Sequence, residues 1–327
     1  MMSIQDVLKW VKDARSSKGI SGVATAYLVK QGMIYASDGR LSVGHPYPGK
    51  ETFLVPGDEF EALIGRLPSD PTIKVMPDQI EVKAGRLRGG IKTLNVDDWG
   101  YPTPAAKGWK KLPKGMWDDL HHLRPFISDN ATQPWAMCIG VRDGRLYATN
   151  NITIASIEFP AAKGIDTLLP VWAIDFLMQR SEGLSDWILE QNYMAFRWED
   201  GAWMRTQLVE GSMPASIKGL IDGIGKRPGF ELKSDWVEAF DRVAALSPEE
   251  VLLYPDKIAG GRDALEVEEA AKTPTAKGTP YSKWSTAFLQ KVVAASQYWQ
   301  PDAYPKPAAF QGEAVNSPLR GLIIGRT

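Results

Sequence analysis

The 327-residue chain contains one cysteine, Cys138, and three histidines, His45, His121 and His122. A single thiol closes no intramolecular disulfide. Zinc takes about four ligands, and adjacent residues such as His121 and His122 point in different directions on a helix, so no metal site is expected. Charge of either sign is not in excess: 38 Lys and Arg stand against 39 Asp and Glu, a formal net charge of −1. The molecule as a whole is therefore no polyanion binder, and any nucleic-acid contact must come from a local basic surface. No apolar run reaches the ~20 residues that span a bilayer. The first residues carry Lys9, Lys12 and Arg15 without the apolar block of a secretory leader, so a cytoplasmic protein with no membrane partner is expected. Catalytic signatures are missing too. No G-x-S-x-G elbow occurs. The segment Gly219 to Arg227, GLIDGIGKR, misses the phosphate-loop spacing and reads as a flexible linker. Asp97-Asp98 and Asp118-Asp119 are neighbours, which do not face one another. The chain is expected to be no enzyme and to need no cofactor.

What is present is a repeat. Residues 29–38 read VKQGMIYASD and residues 141–150 read VRDGRLYATN, with Val, Gly, Tyr and Ala identical at an offset of 112. Each reads as two strands joined at a Gln-Gly or Asp-Gly turn, where glycine supplies positive φ. The surroundings repeat as well. IQDVLKWVKDA, with Ile4, Val7, Leu8, Val11 and Ala14 on one stripe, precedes the first hairpin. MWDDLHHLRPFI, with Trp117, Leu120, Leu123 and Ile127, precedes the second. A proline, Pro56 or Pro170, then marks the start of a second helix in each copy. Strands follow in DQIEVKAGRLRGGIKTL and NYMAFRWEDGAWMRTQL.

A third, diverged copy fits the remainder. SDWVEAFDRVAAL forms its first helix with Ser234 as N-cap. Val251 to Glu269 alternates as strands do. SKWSTAFLQKVVAAS forms the second helix with Ser282 as cap and Phe288, Val292 and Ala295 on its apolar face, and RGLIIGR ends the chain as a strand. The expected domains are 1–112, 113–218 and 219–327, of class α+β.

In this order the segments resemble the DNA polymerase III β subunit, the sliding clamp of bacteria and phages. Tyr35 to Leu41 (YASDGRL) and Tyr147 to Ala155 (YATNNITIA) are similar to the clamp phrase A-T-D-G-x-x-L-A. Leu208 to Pro214 (LVEGSMP) is similar to L-I-E-G-x-F-P, and Ala239 to Ser247 (AFDRVAALS) to A-F-x-R-A-A-x-L-S. The chain departs from the pattern at Asn150-Asn151, at Ile152-Thr153 and at Ile324-Gly325-Arg326, and a phage- or plasmid-type clamp fits such divergence.

The resemblance implies three repeated clamp domains, each with two inner helices and outer antiparallel sheets, forming part of a ring. Two copies would close as a homodimer around duplex DNA, without sequence preference, after opening by a clamp loader. Helix cations would face the DNA: Lys9, Lys12, Arg15, Lys18, Arg66, Arg124, Arg180, Arg242, Lys283 and Lys291. A DNA polymerase would be tethered by a short linear peptide in an apolar cleft between domains 2 and 3, formed by Trp135, Thr149, Ile152, Ile154, Pro214, Gly219, Leu220, Ile323 and Ile324. The alternatives are a virion or other structural assembly protein built of α+β repeats, or an enzyme of unrecognised chemistry.

Overall fold

The computed structural model describes residues 2–16, 22–67, 71–224, 229–315 and 317–326. The chain opens with helix α1 (Ile4–Val11), started by the Ser3 hydroxyl, which accepts the Asp6 N–H. Ile4, Val7, Leu8 and Val11 recur every three or four residues and are all buried. There follow β1 (Ala26–Lys30), β2 (Met33–Ser37), β3 (Leu41–Pro46), β4 (Phe53–Pro56), α2 (Gly57–Ile64), β5 (Thr72–Val75), β6 (Gln79–Ala84) and β7 (Leu87–Lys92). After β8 (Lys110–Lys111) the order recurs as α3 (Met116–Leu123), β9 (Cys138–Arg142), β10 (Arg145–Thr149), β11 (Thr153–Glu158), β12 (Asp166–Pro170), α4 (Val171–Met178), β13 (Leu184–Glu190), β14 (Tyr193–Trp198) and β15 (Trp203–Gln207). A helix α5 (Ala215–Asp222) and a short β16 (Phe230–Glu231) precede the third round. That round consists of α6 (Ser234–Leu246), β17 (Glu250–Leu253), β18 (Lys257–Arg262), β19 (Leu265–Ala270), β20 (Ser282–Ser285), α7 (Thr286–Ala295), β21 (Tyr298–Trp299), β22 (Ala308–Gly312) and β23 (Leu319–Ile323). The matched hairpin turns carry positive φ at Gln31-Gly32 and at Asp143-Gly144, the requirement of a two-residue turn with the hand of the strands.

Contacts divide the chain into two compact units, Met1–Leu112 with Asp175–Leu208, and Pro113–Ile174 with Val209–Thr327. Unit 1 holds an eight-stranded antiparallel sheet in the order β4-β1-β2-β3-β15-β14-β13-β8 and a separate three-stranded sheet β5-β6-β7. Unit 2 holds an eight-stranded sheet in the order β12-β9-β10-β11-β23-β22-β21-β16 and a four-stranded sheet β19-β18-β17-β20. In unit 1, α1 packs on β2 and β3. There Trp10 meets His45, Phe176 and Trp198 edge-on at 5.0–5.4 Å. In unit 2, Phe126 stacks on Phe310 at 5.3 Å, and Trp236 stacks on Phe240 at 5.6 Å.

Four local expectations are corrected. Ser282–Ser285 is strand β20, paired with β17, and α7 starts only at Thr286 with Ser285 as its N-cap. Ser282 and Trp284 alternate inward as a strand requires, which a helical stripe would not give. The buried face of α7 is accordingly Thr286, Leu289, Val292 and Val293, and not one centred on Phe288 and Ala295. Lys233, not Ser234, occupies the N-cap position of α6, and no side chain caps that end. The supposed linker around Gly219 contains α5, because Ile217 and Ile221, four apart, seat on Tyr147 and Met213; residues 225–228 of that segment lie outside the described residues. In α3 the buried positions are Met116, Asp119, Leu120 and Leu123, and Trp117 is only half-buried.

Candidate functional site

Strand register decides which of the expected groove residues meet. Residues directly opposite in antiparallel strands share a face. β10 pairs with β11 through Tyr147↔Ser156 and Thr149↔Ile154. β11 pairs with β23 through Ile154↔Leu322 and Thr153↔Ile323. Tyr147, Thr149, Ile154 and Leu322 therefore share one face of the unit 2 sheet. Ile323 sits on the opposite face with Thr153, Ala155 and Phe310, and is 1% exposed.

An apolar surface assembles on the Ile154 face. Trp135 and Ile154, both half-buried, pack against Cys138, Tyr147, Leu168, Met213, Ile217 and Ile221. At the end of the β11–β23 pair, the Ile324 N–H donates to the Ile152 carbonyl at 3.0 Å. This continues the register so that Ile152 and Ile324 extend the row begun by Ile154 and Leu322. Ile152 and Leu322 are half-buried, and Ile324 is 46% exposed. α5 lies across β11 and β23; it follows the half-buried Pro214 and carries exposed Gly219 and Leu220. Seven of the nine expected residues thus share this neighbourhood: Trp135, Ile152, Ile154, Pro214, Gly219, Leu220 and Ile324. Thr149 is buried, and its hydroxyl donates to the Thr153 carbonyl and accepts the Asn151 N–H. It shapes the turn between β10 and β11. Ile323 belongs to the other face, and Leu322 takes the place expected for it. Only the pairing partner of each residue reveals this, because a one-residue change of parity reverses the face.

Charges hold the wall in place. Arg142 donates to the Met213 carbonyl at 2.9 Å, fixing the chain just before α5. Asp222, on the last turn of α5, accepts from Lys218 at 2.7 Å and from Arg145 at 2.5 Å. These two hydrogen bonds hold its carboxyl below the usual carboxylate range. Burial pushes the Tyr147 phenol up and the Cys138 thiol up to about 12, so Cys138 is a protonated core thiol. Among the described residues no group of three or more His, Cys, Asp or Glu is placed to hold a metal ion, and no helix is long and apolar enough to cross a membrane.

The expected DNA-facing cations divide by environment. Lys9 is exposed, with Asp6 at 3.8 Å, and Lys12 and Arg66 are exposed. Lys291, on α7, lies over the Phe288 ring at 5.8 Å. Arg15 is 9% exposed and held by Asp58 at 2.7 Å, Glu61 at 2.9 Å and the Thr25 carbonyl. Arg180 is 7% exposed and held by Asp13 at 2.6 Å and the Trp10 carbonyl. Both tie secondary-structure elements together inside unit 1. Arg124 pairs with Asp129, Arg242 with Glu269, and Lys283 with Glu250; Lys283 belongs to β20 and not to a helix. Lys18 lies outside the described residues. The sequence reading passed over Leu322, Ile217 and Ile221; the four-residue spacing of the last two was the available signal.

No family model and no curated protein sequence matches this chain. Solved structures do. The Helicobacter pylori β clamp in complex with diflunisal superimposes with a TM-score of 0.79 at 13% identity, covering 99% of this chain and 97% of that one. The Pseudomonas aeruginosa DNA polymerase sliding clamp with ligand gives a TM-score of 0.80 at 17% identity over the same shares. The DNA polymerase III β subunit of Eubacterium rectale, described as putative, gives 0.79 at 11%, again over the same shares. Over nearly its full length, this chain therefore has the α+β fold of the DNA polymerase III β subunit, the sliding clamp.

Proposed function

We propose that this protein is a DNA sliding clamp, closing as a homodimeric ring around duplex DNA and tethering a polymerase through a peptide bound beside Ile154 and Ile324. The observation that carries the reading is a mismatch in sheet completeness. Each eight-stranded sheet joins four strands of one repeat to the last strands of the next, through β3–β15 in unit 1 and β11–β23 in unit 2. Two half-sheets remain. β20-β17-β18-β19 has the strand order of the first half, ending on β19, the counterpart of β3 and β11. β5-β6-β7 has the order of the second half, ending on β7, the counterpart of β15 and β23. An open sheet edge is a template for another strand. Pairing β19 of one copy with β7 of a second, twice about a twofold axis, completes both sheets and leaves no free edge at the junction. The charges agree in part: β19 carries Glu266, with Glu268 and Glu269 already paired to Lys257 and Arg242, and β7 carries Arg88 and Lys92.

In this reading the protein does no bond chemistry. It holds by enclosure, so DNA contacts need only be weak and independent of sequence, and a clamp loader opens the closed ring. The half-buried apolar row seats one or two apolar anchors of the polymerase peptide, each worth ~1.5–3 kcal/mol. Light scattering tests the assembly, the expected mass being twice the chain mass of 36.1 kDa. Reversing the charge of one edge (Glu266→Lys with Glu268→Lys) or of the other (Arg88→Glu with Lys92→Glu) yields monomers. Mixing the two variants restores the double mass, because both junctions of the mixed pair are again complementary. A wild-type monomer at all concentrations, or variants that dimerise alone as well as when mixed, overturns the proposed junction. On loaded DNA, equal retention on circular and linear duplexes excludes enclosure.

A further inference from the structure

β23 stops at Ile323, yet Ile324 still stands in the apolar row. Two backbone hydrogen bonds fix this stretch of chain, and they lead to different sheets. The Ile324 N–H donates to the Ile152 carbonyl just ahead of β11 at 3.0 Å, and two residues later the Arg326 N–H donates to the Lys283 carbonyl of β20 at 2.8 Å. Lys283 and Arg326 thus stand opposite one another in an antiparallel bridge. Gly325 is the crossing point. A Cβ there would lie 2.7 Å from the Tyr304 ring, and the Tyr304 hydroxyl donates to the Arg326 carbonyl. Like charges directly opposed across a bridge are destabilising. Glu250 removes that conflict. It belongs to β17, whose register sets Leu252 against Lys283, so Glu250 shares the Lys283 face of the sheet. Its Oε2 lies 2.9 Å from the Lys283 ammonium and 3.1 Å from the Arg326 guanidinium. The same guanidinium donates to the Glu249 carbonyl at 3.2 Å.

We propose that Glu250 is a positioning residue for the peptide groove: by neutralising Lys283 and Arg326 together, it straps residues 324–326 to β20 and keeps Ile324 ordered in the apolar row before a peptide arrives. The inference rests on the groove reading and adds a control from a different sheet. Its physical basis is entropic. A peptide that meets an ordered Ile324 does not have to immobilise it on binding. The strap is also sensitive to salt, because the Lys283, Glu250 and Arg326 side chains are 32%, 35% and 47% exposed. Without the Glu250 carboxylate, the two cations repel across the bridge and loosen the hold of β20 on Arg326, and Ile324 keeps only its bond to Ile152.

The test is the affinity of a short fluorescein-labelled peptide with Leu and Phe anchors and no charged residue, followed by anisotropy. Glu250→Gln is expected to weaken binding by ~2–5-fold at low salt, and the deficit relative to wild type shrinks as salt rises. Adding Lys283→Gln to Glu250→Gln restores part of the affinity, since the opposed cations no longer repel. In an Ile324→Ala background, where affinity is already reduced, Glu250→Gln has no further effect. Amide hydrogen exchange of residues 319–326, read by mass spectrometry without peptide, quickens in Glu250→Gln. If Glu250→Gln binds as wild type does, or weakens binding equally in the Ile324→Ala background, Glu250 does not act through Ile324, and the groove reading stands. If Ile324→Ala itself binds the peptide as tightly as wild type, the groove is misplaced and the strap has nothing to position.

Discussion

Replacing Arg180 with methionine separates a structural cation from a DNA-contacting one. The guanidinium is 7% exposed. It donates to the Trp10 carbonyl at 2.9 Å and to Asp13 at 2.6 Å, and lies over the Phe176 ring at 3.9 Å and the Trp10 ring at 5.5 Å. Losing charge-assisted hydrogen bonds costs ~1.5–3 kcal/mol, and a desolvated cation–π contact adds ~2 kcal/mol. Methionine keeps most of the volume and regains ~0.3–1.5 kcal/mol through sulfur–aromatic contact. Asp13 is 42% exposed, so water replaces its lost partner and no buried charge is stranded. The net cost is ~2–5 kcal/mol, a fall of roughly 4–20 °C in the melting temperature of the unit that contains it. Thermal melts followed by tryptophan fluorescence suit this site, since Trp10 and Trp198 border it. The slope of DNA affinity against salt should not change. A variant that melts with wild type would refute the packing argument. One that melts normally and loses about one phosphate's worth of slope would make Arg180 a DNA contact after all.

Two further outcomes follow from unit 2. Ile324→Asp puts a carboxylate into the apolar row and should weaken binding of a polymerase C-terminal peptide tenfold or more by fluorescence anisotropy, with melting and oligomeric mass unchanged, because the side chain is half exposed; unchanged affinity would misplace the groove. Asp222→Asn should lower the melting temperature at neutral pH and lose this effect under acid. The folded carboxyl titrates below its unfolded range because Lys218 and Arg145 donate to it, so its stabilisation is present above the unfolded pKa of ~3.9 and is lost as pH falls through the lower folded value. The difference should shrink in high salt, since the trio is partly exposed; an equal penalty at pH ~3 and pH ~7 would assign the effect to shape and not to charge.

Much of the molecule is legible in local patterns. The stripe Ile4, Val7, Leu8, Val11 and Ala14 marks α1 and the short turn after it, all five buried. Gln31-Gly32 and Asp143-Gly144 mark matched hairpins, and the repetition of helix, strands, helix and strands shows the fold class before any coordinate does. These features depend on neighbours within a few residues, where side-chain period and turn chemistry act directly. The misread segments are those whose partners are distant in sequence. SKWS lies beside a helical pattern, and its pairing with β17 makes it a strand. GLID looks like a linker until Tyr147 and Met213 offer Ile217 and Ile221 somewhere to bury.

The candidate site shows the same division. Sequence alone identified which segments carry apolar residues toward one end of unit 2, and which helices carry cations. Only the tertiary structure decided that Leu322, and not Ile323, shares a face with Ile154, because strand parity has no meaning until a partner register exists. Only the tertiary structure withdrew Arg15 and Arg180 from the surface, since a cation's freedom is set by the carboxylates, carbonyls and rings that other parts of the chain bring to it. Composition and period determine which elements form; register and long-range pairing determine which of their side chains are left to act.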